Sequence, residues 1–229
     1  MSFCAFSQEL PPIVKYASTT YGAGNQNWMI SQDQNHYVFF ANNEGLLEFN
    51  GSNWELYPSP NETIVRSVKV IGNKIYTGCY MEFGFWTRHT NGKLKYTSLS
   101  KTIKTQILND EQFWNILNYE QWVVFQSLDR IYIYDTKTGG FKIIAPKNNI
   151  TKSFRTKNAI YFQSINEGLF EIESGKGRLV SNNPILQNNR IVNVFAIGEG
   201  LLIQTQLNGF YKLIGTVLTK FSTEVDSEL

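Results

Sequence analysis

Histidine and cysteine are scarce in this chain. Its 229 residues hold two of each: His36, His89, Cys4 and Cys79. A Ser–His–Asp relay has only two histidines to draw on, and His36 and His89 both read as turn residues. Cys79, Glu82 and His89 are close in sequence but fall at different ends of one strand, so no metal centre is expected. Two cysteines, one at position 4, imply no disulfide framework. No run approaches 18 apolar residues, which leaves no membrane-spanning helix. Neither charge dominates: 21 Lys and Arg are scattered among 19 Asp and Glu. That excludes the concentrated basic face that draws nucleic-acid phosphates. No phosphate-cradling loop is present, because Gly175-Lys176-Gly177 is a hairpin tip with no helix after it. No cofactor is implied.

Aromatic residues, in contrast, are plentiful at 14%. They sit in a pattern that recurs five times: YVFFANNEGLLEF (37–49), KIYTGCYMEFGFWTR (74–88), WVVFQSLDRIYIYD (122–135), AIYFQSINEGLFEI (159–172) and LLIQTQLNGFYKL (201–213). Each is a short apolar strand, a polar turn and a second apolar strand. The residue at the turn is Gly45, Gly84, Arg130, Gly168 and Gly209, at intervals of 39, 46, 38 and 41 residues. A period near 40 built from strands predicts a β-propeller, in which no blade can bury both its faces alone. Glycine suits a turn that needs positive φ or a close backbone approach; Arg130 requires blade three to turn differently.

The fold class is therefore all-β, with about five four-stranded blades at 26–58, 63–100, 112–146, 150–184 and 190–224. Inner strands are expected near Trp28–Ile30, Val65–Ile71, Phe113–Asn118, Thr151–Thr156 and Ile191–Ile197. Outer strands are expected near Trp54–Tyr57, Leu94–Thr97, Phe141–Ile144, Arg178–Val180 and Val217–Phe221. Asn50-Gly51, Asn91-Gly92 and Gly139-Gly140 are strong hairpin signals between the third and fourth strands. A helical turn is expected within Lys101–Glu111. Ser31–Asn35 resembles an Asp-box turn, but without its glycine and without recurrence it reads as a local Asx turn. Pro12–Tyr16 reads as a spare strand with no blade to complete within the chain. The ring is accordingly expected to be incomplete, the chain being the N-terminal fragment of a larger protein. Residues 1–10 read as a signal-peptide remnant, with small residues at Ala5 and Ser7, or as a disordered tail.

Three strings carry a family resemblance: NQNWMISQDQNHYVFFANNEGLLEFNGSNWELY (25–57), TGCYMEFGFW (77–86) with YTSLS (96–100), and DEQFWNIL (110–117) with FQSLDRIYIYD (125–135). They resemble the two-component-regulator propeller family of Bacteroidetes over essentially residues 11–225. The resemblance implies a periplasmic sensor propeller of an inner-membrane protein. In that family the propeller is followed by a tyrosine-motif sandwich, a membrane helix and an output region. The output is a LuxR-type DNA-binding module or a histidine kinase. Those parts would be this segment's partners, together with an unknown polar ligand, a sugar or a peptide, and a second copy in a homodimer.

No catalytic constellation emerges, so the segment reads as a recognition module. In a propeller, the loops joining second to third strands share one face with the blade-to-blade connections. On that face the candidate ligand-binding residues are Asn42, Asn43, Glu44, Tyr80, Glu82, Gln126, Asp129, Arg130, Gln163, Asn166, Glu167, Gln204 and Asn208. Amides both donate and accept hydrogen bonds, which suits polar ligands, and Tyr80 offers a ring for stacking. The alternative is a scaffold of the same shape that binds proteins and no small molecule.

Overall fold

The computed structural model describes residues 12–222 and folds them into twenty short strands in five antiparallel four-stranded sheets. Blade 1 comprises β1 (Asn27–Gln32), β2 (Val38–Asn42), β3 (Gly45–Phe49) and β4 (Trp54–Tyr57). Blade 2 comprises β5 (Ser67–Ile71), β6 (Lys74–Gly78), β7 (Phe83–Arg88) and β8 (Leu94–Ser98). Blade 3 holds β9 (Asn115–Tyr119), β10 (Trp122–Gln126), β11 (Ile131–Asp135) and β12 (Phe141–Ile144). Blade 4 holds β13 (Ile150–Arg155), β14 (Ile160–Ser164), β15 (Gly168–Glu173) and β16 (Lys176–Ser181). Blade 5 holds β17 (Ile191–Ile197), β18 (Gly200–Thr205), β19 (Phe210–Ile214) and β20 (Val217–Phe221). In every sheet the strands lie side by side in chain order. Successive inner strands β1, β5, β9, β13 and β17 pack against one another. The result is an arc of an incomplete propeller.

Strand side chains alternate between faces, so an interior blade must be apolar on both. In blade 3, Val123, Phe125 and Tyr132 pack against Tyr76 and Phe83 of blade 2. Val124, Ile131 and Ile133 face Ile150, Ile160 and Phe162 of blade 4. This is why β10 and β11 read as unbroken runs, Trp-Val-Val-Phe and Ile-Tyr-Ile-Tyr, with no polar alternation. The blade 2–3 seam is aromatic: the Phe83 ring lies 4.7 Å from Phe113 and 4.4 Å from Phe125. Burying each such ring contributes about 2–3 kcal/mol.

The expected glycine role holds at Gly45 and Gly168, with φ +148° and +119°. A Cβ on either would also collide with a carbonyl oxygen of the outer strand, Tyr57 O and Ser181 O respectively. In blade 3 the Ser127 hydroxyl replaces the glycine by accepting from the backbone N–H of Asp129 and Arg130. The Asp33 carboxylate accepts from the N–H of Asn35 and of Tyr37, which is the Asx turn expected there.

One further expectation is corrected and one is met. Pro12–Tyr16 is not a strand: Ile13 and Val14 are exposed, and Tyr16 lies against blade 1. The helical turn is a 3-10 segment, Ser100–Gln106, whose Ile103 is buried in the blade 2–3 seam. It accounts for the longest repeat interval. A helical turn, α1 (Ser18–Tyr21), precedes blade 1. A second helix, α2 (Pro184–Asn188), was not anticipated, although Asn183 caps it and proline opens it. Among the described residues no helix is long and apolar enough to cross a membrane. The expected signal remnant, 1–10, lies outside the described residues.

Candidate recognition face

The β2–β3 loop and its equivalents in the other blades meet the blade-to-blade connections on one face of the arc. Hydrogen bonds hold the two sets of loops together. Asn61 donates to Tyr80 O (2.7 Å), Met81 N–H to Glu111 O (2.7 Å), and the Tyr80 hydroxyl to Asp110 (2.6 Å). That last bond, to a carboxylate, raises the Tyr80 phenol above its ordinary pKa. Further along, Asn149 donates to Asp129 (3.1 Å), Arg130 to Gln106 O (2.6 Å), and Asn208 to Asn189.

Four of the candidate residues are withdrawn from this face by burial: Asn42, Glu82, Gln126 and Gln163. They lie in the last residues of the second strand of a blade or in the turn after it, and their polar atoms are spent there. Asn42 donates to Gly24 O and Asn27. Glu82 accepts from Tyr96 (3.0 Å) and Ser98 (2.7 Å). Gln126 accepts from the N–H and hydroxyl of Ser153 in the next blade, both at 2.8 Å. Gln163 is fully occupied. It donates to Leu186 O and Asn189 O (both 2.7 Å) and accepts from Ile191 N–H (2.8 Å) and Thr151 (2.7 Å). A buried amide whose sites are all filled fixes a seam and has nothing left for a ligand.

The other candidates are exposed or half-buried: Asn43, Glu44, Tyr80, Asp129, Arg130, Asn166, Glu167, Gln204 and Asn208. They do not form one pocket. Asp129 and Arg130 line a cleft of about 330 Å³ with Leu108 and Lys147–Asn149. Gln204 and Asn208 line another of about 310 Å³ with Leu207 and Lys220. A third cleft of about 380 Å³ lies on the opposite face, between the β1–β2 and β5–β6 hairpins. Glu167 accepts from Ser164 (2.7 Å) and from Asn148 N–H (3.0 Å). Partial burial raises its pKa, but these hydrogen bonds outweigh it, so the carboxyl sits below its ordinary value.

The reading of the loops missed two groups. Glu111 is buried and accepts from Ser127 (2.5 Å), Tyr132 (2.6 Å) and Leu108 N–H (3.0 Å), tying the blade 2–3 connection to blade 3. Burial, then the neighbouring Glu111, pushes the Tyr132 phenol well up. The second group lies where β1, β5 and β9 begin. The Arg66 guanidinium sits 4.4 Å from the Trp28 ring centroid and 4.7 Å from that of Trp114, and the two indoles meet edge to face. The signal was in the sequence, since Arg66 and Trp114 each immediately precede an inner strand and Trp28 is the second residue of one.

Cys79 is free and buried, and burial pushes its thiol up, which leaves it inert. Among the described residues no three His, Cys, Asp or Glu side chains are grouped as metal ligands would be.

The architecture is that of a β-propeller, and comparison with known proteins agrees. No family model matches the chain, and no curated protein matches it in sequence. Solved structures do. The extracellular domain of BT4673 from B. thetaiotaomicron, described both as a one-component and as a hybrid two-component system, has TM-score 0.60 at 16% identity. The match covers 85% of this chain and 27% of that one. PorZ of Porphyromonas gingivalis, a surface component of its type-IX secretion system, has TM-score 0.57 at 12% identity, over 86% and 26% of the two chains. The WD40 β-propeller domain of Doa1 has TM-score 0.54 at 12% identity, over 84% and 63%. The chain thus spans about a quarter of the length of the first two. Identities this low establish the fold alone.

Proposed function

We propose that this chain is the ligand-recognising propeller of an extracytoplasmic sensor in a transmembrane signalling and transcription-regulatory protein, and that the segment itself is non-catalytic. One observation carries the reading. The face that bears the loops is lined with exposed and half-buried amides, a tyrosine and both charges, while its buried carboxylates Glu82 and Glu111 are spent on protein hydroxyls. Such a surface offers many directional contacts and no paired acid and base poised over a cleft. Two further points support it. The sequence resembles the two-component-regulator propellers, and the BT4673 domain, an extracellular part of a signalling system, shares the fold. Output would then lie in the sandwich, membrane helix and DNA-binding or kinase module of a longer protein. The ligand must favour one of two states of that protein, or nothing is transmitted.

A calorimetric screen of the chain against oligosaccharides and short peptides tests this reading. Saturable binding weakened by Asn43→Ala or Asp129→Ala is the expected result. Turnover of a polysaccharide or peptide that Asp129→Ala abolishes would replace recognition with catalysis.

A further inference from the structure

Arg66 is held from three sides. Its guanidinium is wedged in the angle between Trp28 and Trp114, whose ring centroids are 5.8 Å apart with planes at 78°. Its Nε donates to Gln112 Oε1 at 3.0 Å, which fixes the plane of the fork. Trp28 is fixed in turn, its Nε1–H donating to Asn43 Oδ1 at 2.8 Å. Among the described residues neither Nη group donates to a protein acceptor, and no carboxylate oxygen lies within 4.0 Å. A rigid fork with its outer edge free accepts an oxyanion through two parallel hydrogen bonds. Partial burial is the only influence drawing the Arg66 pKa below its ordinary value, and a bound anion would relieve it.

The wall of inner strands beside it has the same sign. The five inner strands carry Lys69, Lys152 and Arg155 and not one Asp or Glu. Arg66 and Arg190 stand immediately before β5 and β17. A concave wall of one charge focuses its field on the space it encloses. Beside the fork, Trp28 is 39% exposed, an indole left open where a core tryptophan would be covered. An apolar ring surface next to a free guanidinium fork, with the amides of Asn43 and Gln112 at hand, matches a pyranose that bears a charged group.

We infer that Arg66, clamped by Trp28 and Trp114, anchors the carboxylate or sulfate of an acidic saccharide at the inner-strand wall of blades 1 to 3. This names the ligand class for the polar-ligand reading above and rests on that reading.

The test uses the unaltered chain first. A glucuronate-containing disaccharide, its primary-amide derivative, a sulfated disaccharide and the neutral parent are titrated calorimetrically. An acid form that binds at least about tenfold more tightly than the amide, and loses affinity as salt rises, is expected. The carboxylated and sulfated arms separate the two oxyanion sources. Arg66→Gln should remove that preference while leaving circular dichroism unchanged, and Arg66→Lys should restore only part of it. Should the Arg66 variants fail to fold, the acid-against-amide comparison decides alone. Equal binding of acid, amide and neutral sugars would overturn the inference but leave polar-ligand recognition standing. So would preference for an acidic peptide with no affinity for acidic sugars. No binding of any saccharide or peptide would overturn both.

Discussion

Blade 1 and blade 5 end the same arc, but among the described residues only blade 1 is covered. The outward face of blade 1 carries Phe40, Leu47, Phe49, Trp54 and Leu56, by strand register. The chain's own N-terminal segment closes over it. Tyr16 lies 5.4 Å from Phe49 and 5.3 Å from Trp54, and Tyr21, in the helical turn Ser18–Tyr21, lies 5.5 Å from Trp54. The outward face of blade 5 has no such cover among the described residues. Phe195, Ile214 and Val217 are exposed, and the registers that carry them include Lys212, Thr219 and Gln204. Among the described residues blade 1 is therefore held from both sides and blade 5 from one. A sheet face is stabilised by what packs on it, so the two ends should differ in local stability although their strands are alike.

The largest expected effect is at the seam that attaches blade 5. Gln163→Ala removes an amide with four hydrogen bonds and orphans the Ile191 N–H and two carbonyls in a buried site. The cost is about 3 kcal/mol. Among the described residues blade 5 has no second support, so hydrogen exchange should show protection lost in 191–221 well before blades 1 to 3. Uniform loss across all five blades would mean that the arc unfolds as one unit and that its two ends are equivalent.

At the other end, Trp54→Ala should cost about 2 kcal/mol, because the indole joins Tyr16 and Tyr21 to Phe40 and Phe49. Limited proteolysis should then cut within residues 12–24. Phe195→Ala on blade 5 should stay within about 0.5 kcal/mol, as an exposed side chain does. Denaturant midpoints measure both, and a Phe195 variant as costly as Trp54→Ala would show that something covers blade 5 in solution.

The seam between blades 1 and 2 gives a third measure. Arg88 donates to Glu48 at 2.8 Å, and the Glu48 side chain is only 6% exposed. Burial lowers the Arg88 pKa, but Glu48 more than offsets this and leaves it raised. Arg88→Ala strands a buried carboxylate and should cost about 2 kcal/mol. Arg88→Met with Glu48→Leu should recover most of it, read from thermal midpoints.

The difference between the ends was only partly legible in the sequence. The five strand pairs and their period were, because strand periodicity and turn glycines are local. Pro12–Tyr16 was misread as a strand, since its role depends on the face that Trp54 presents, which no local pattern records. The candidate site shows the same division. Loop positions follow from topology, and Asn43, Asp129 and Arg130 do lie on the surface. Asn42, Gln126 and Gln163 look like loop amides in sequence, yet one or two residues of strand extension bury them between blades. Composition cannot separate an amide that waits for a ligand from one that already has its partners. The Trp28–Arg66–Trp114 cluster joins positions 38 and 48 residues apart, so only the fan of the blades makes it one site.

The smallest effect concerns pH, at a joint away from both ends. Glu167 accepts from Ser164 and Asn148 and pins the blade 3–4 connection to the β14–β15 turn. Its folded pKa lies below the ordinary carboxylate value of 4.5. A depressed pKa contributes stability that is present above that ordinary value and is lost as pH falls through the folded one. Glu167→Gln should therefore lower the thermal midpoint at neutral pH by an amount equivalent to less than about 1 kcal/mol, given the exposure of the group. The gap between variant and parent should close below pH 4.5. A gap that persists in acid would mean that the side chain holds the joint by shape and not by charge. The connection between blades 3 and 4 would then resemble the apolar cover on blade 1 more than the hydrogen-bonded seam that carries blade 5.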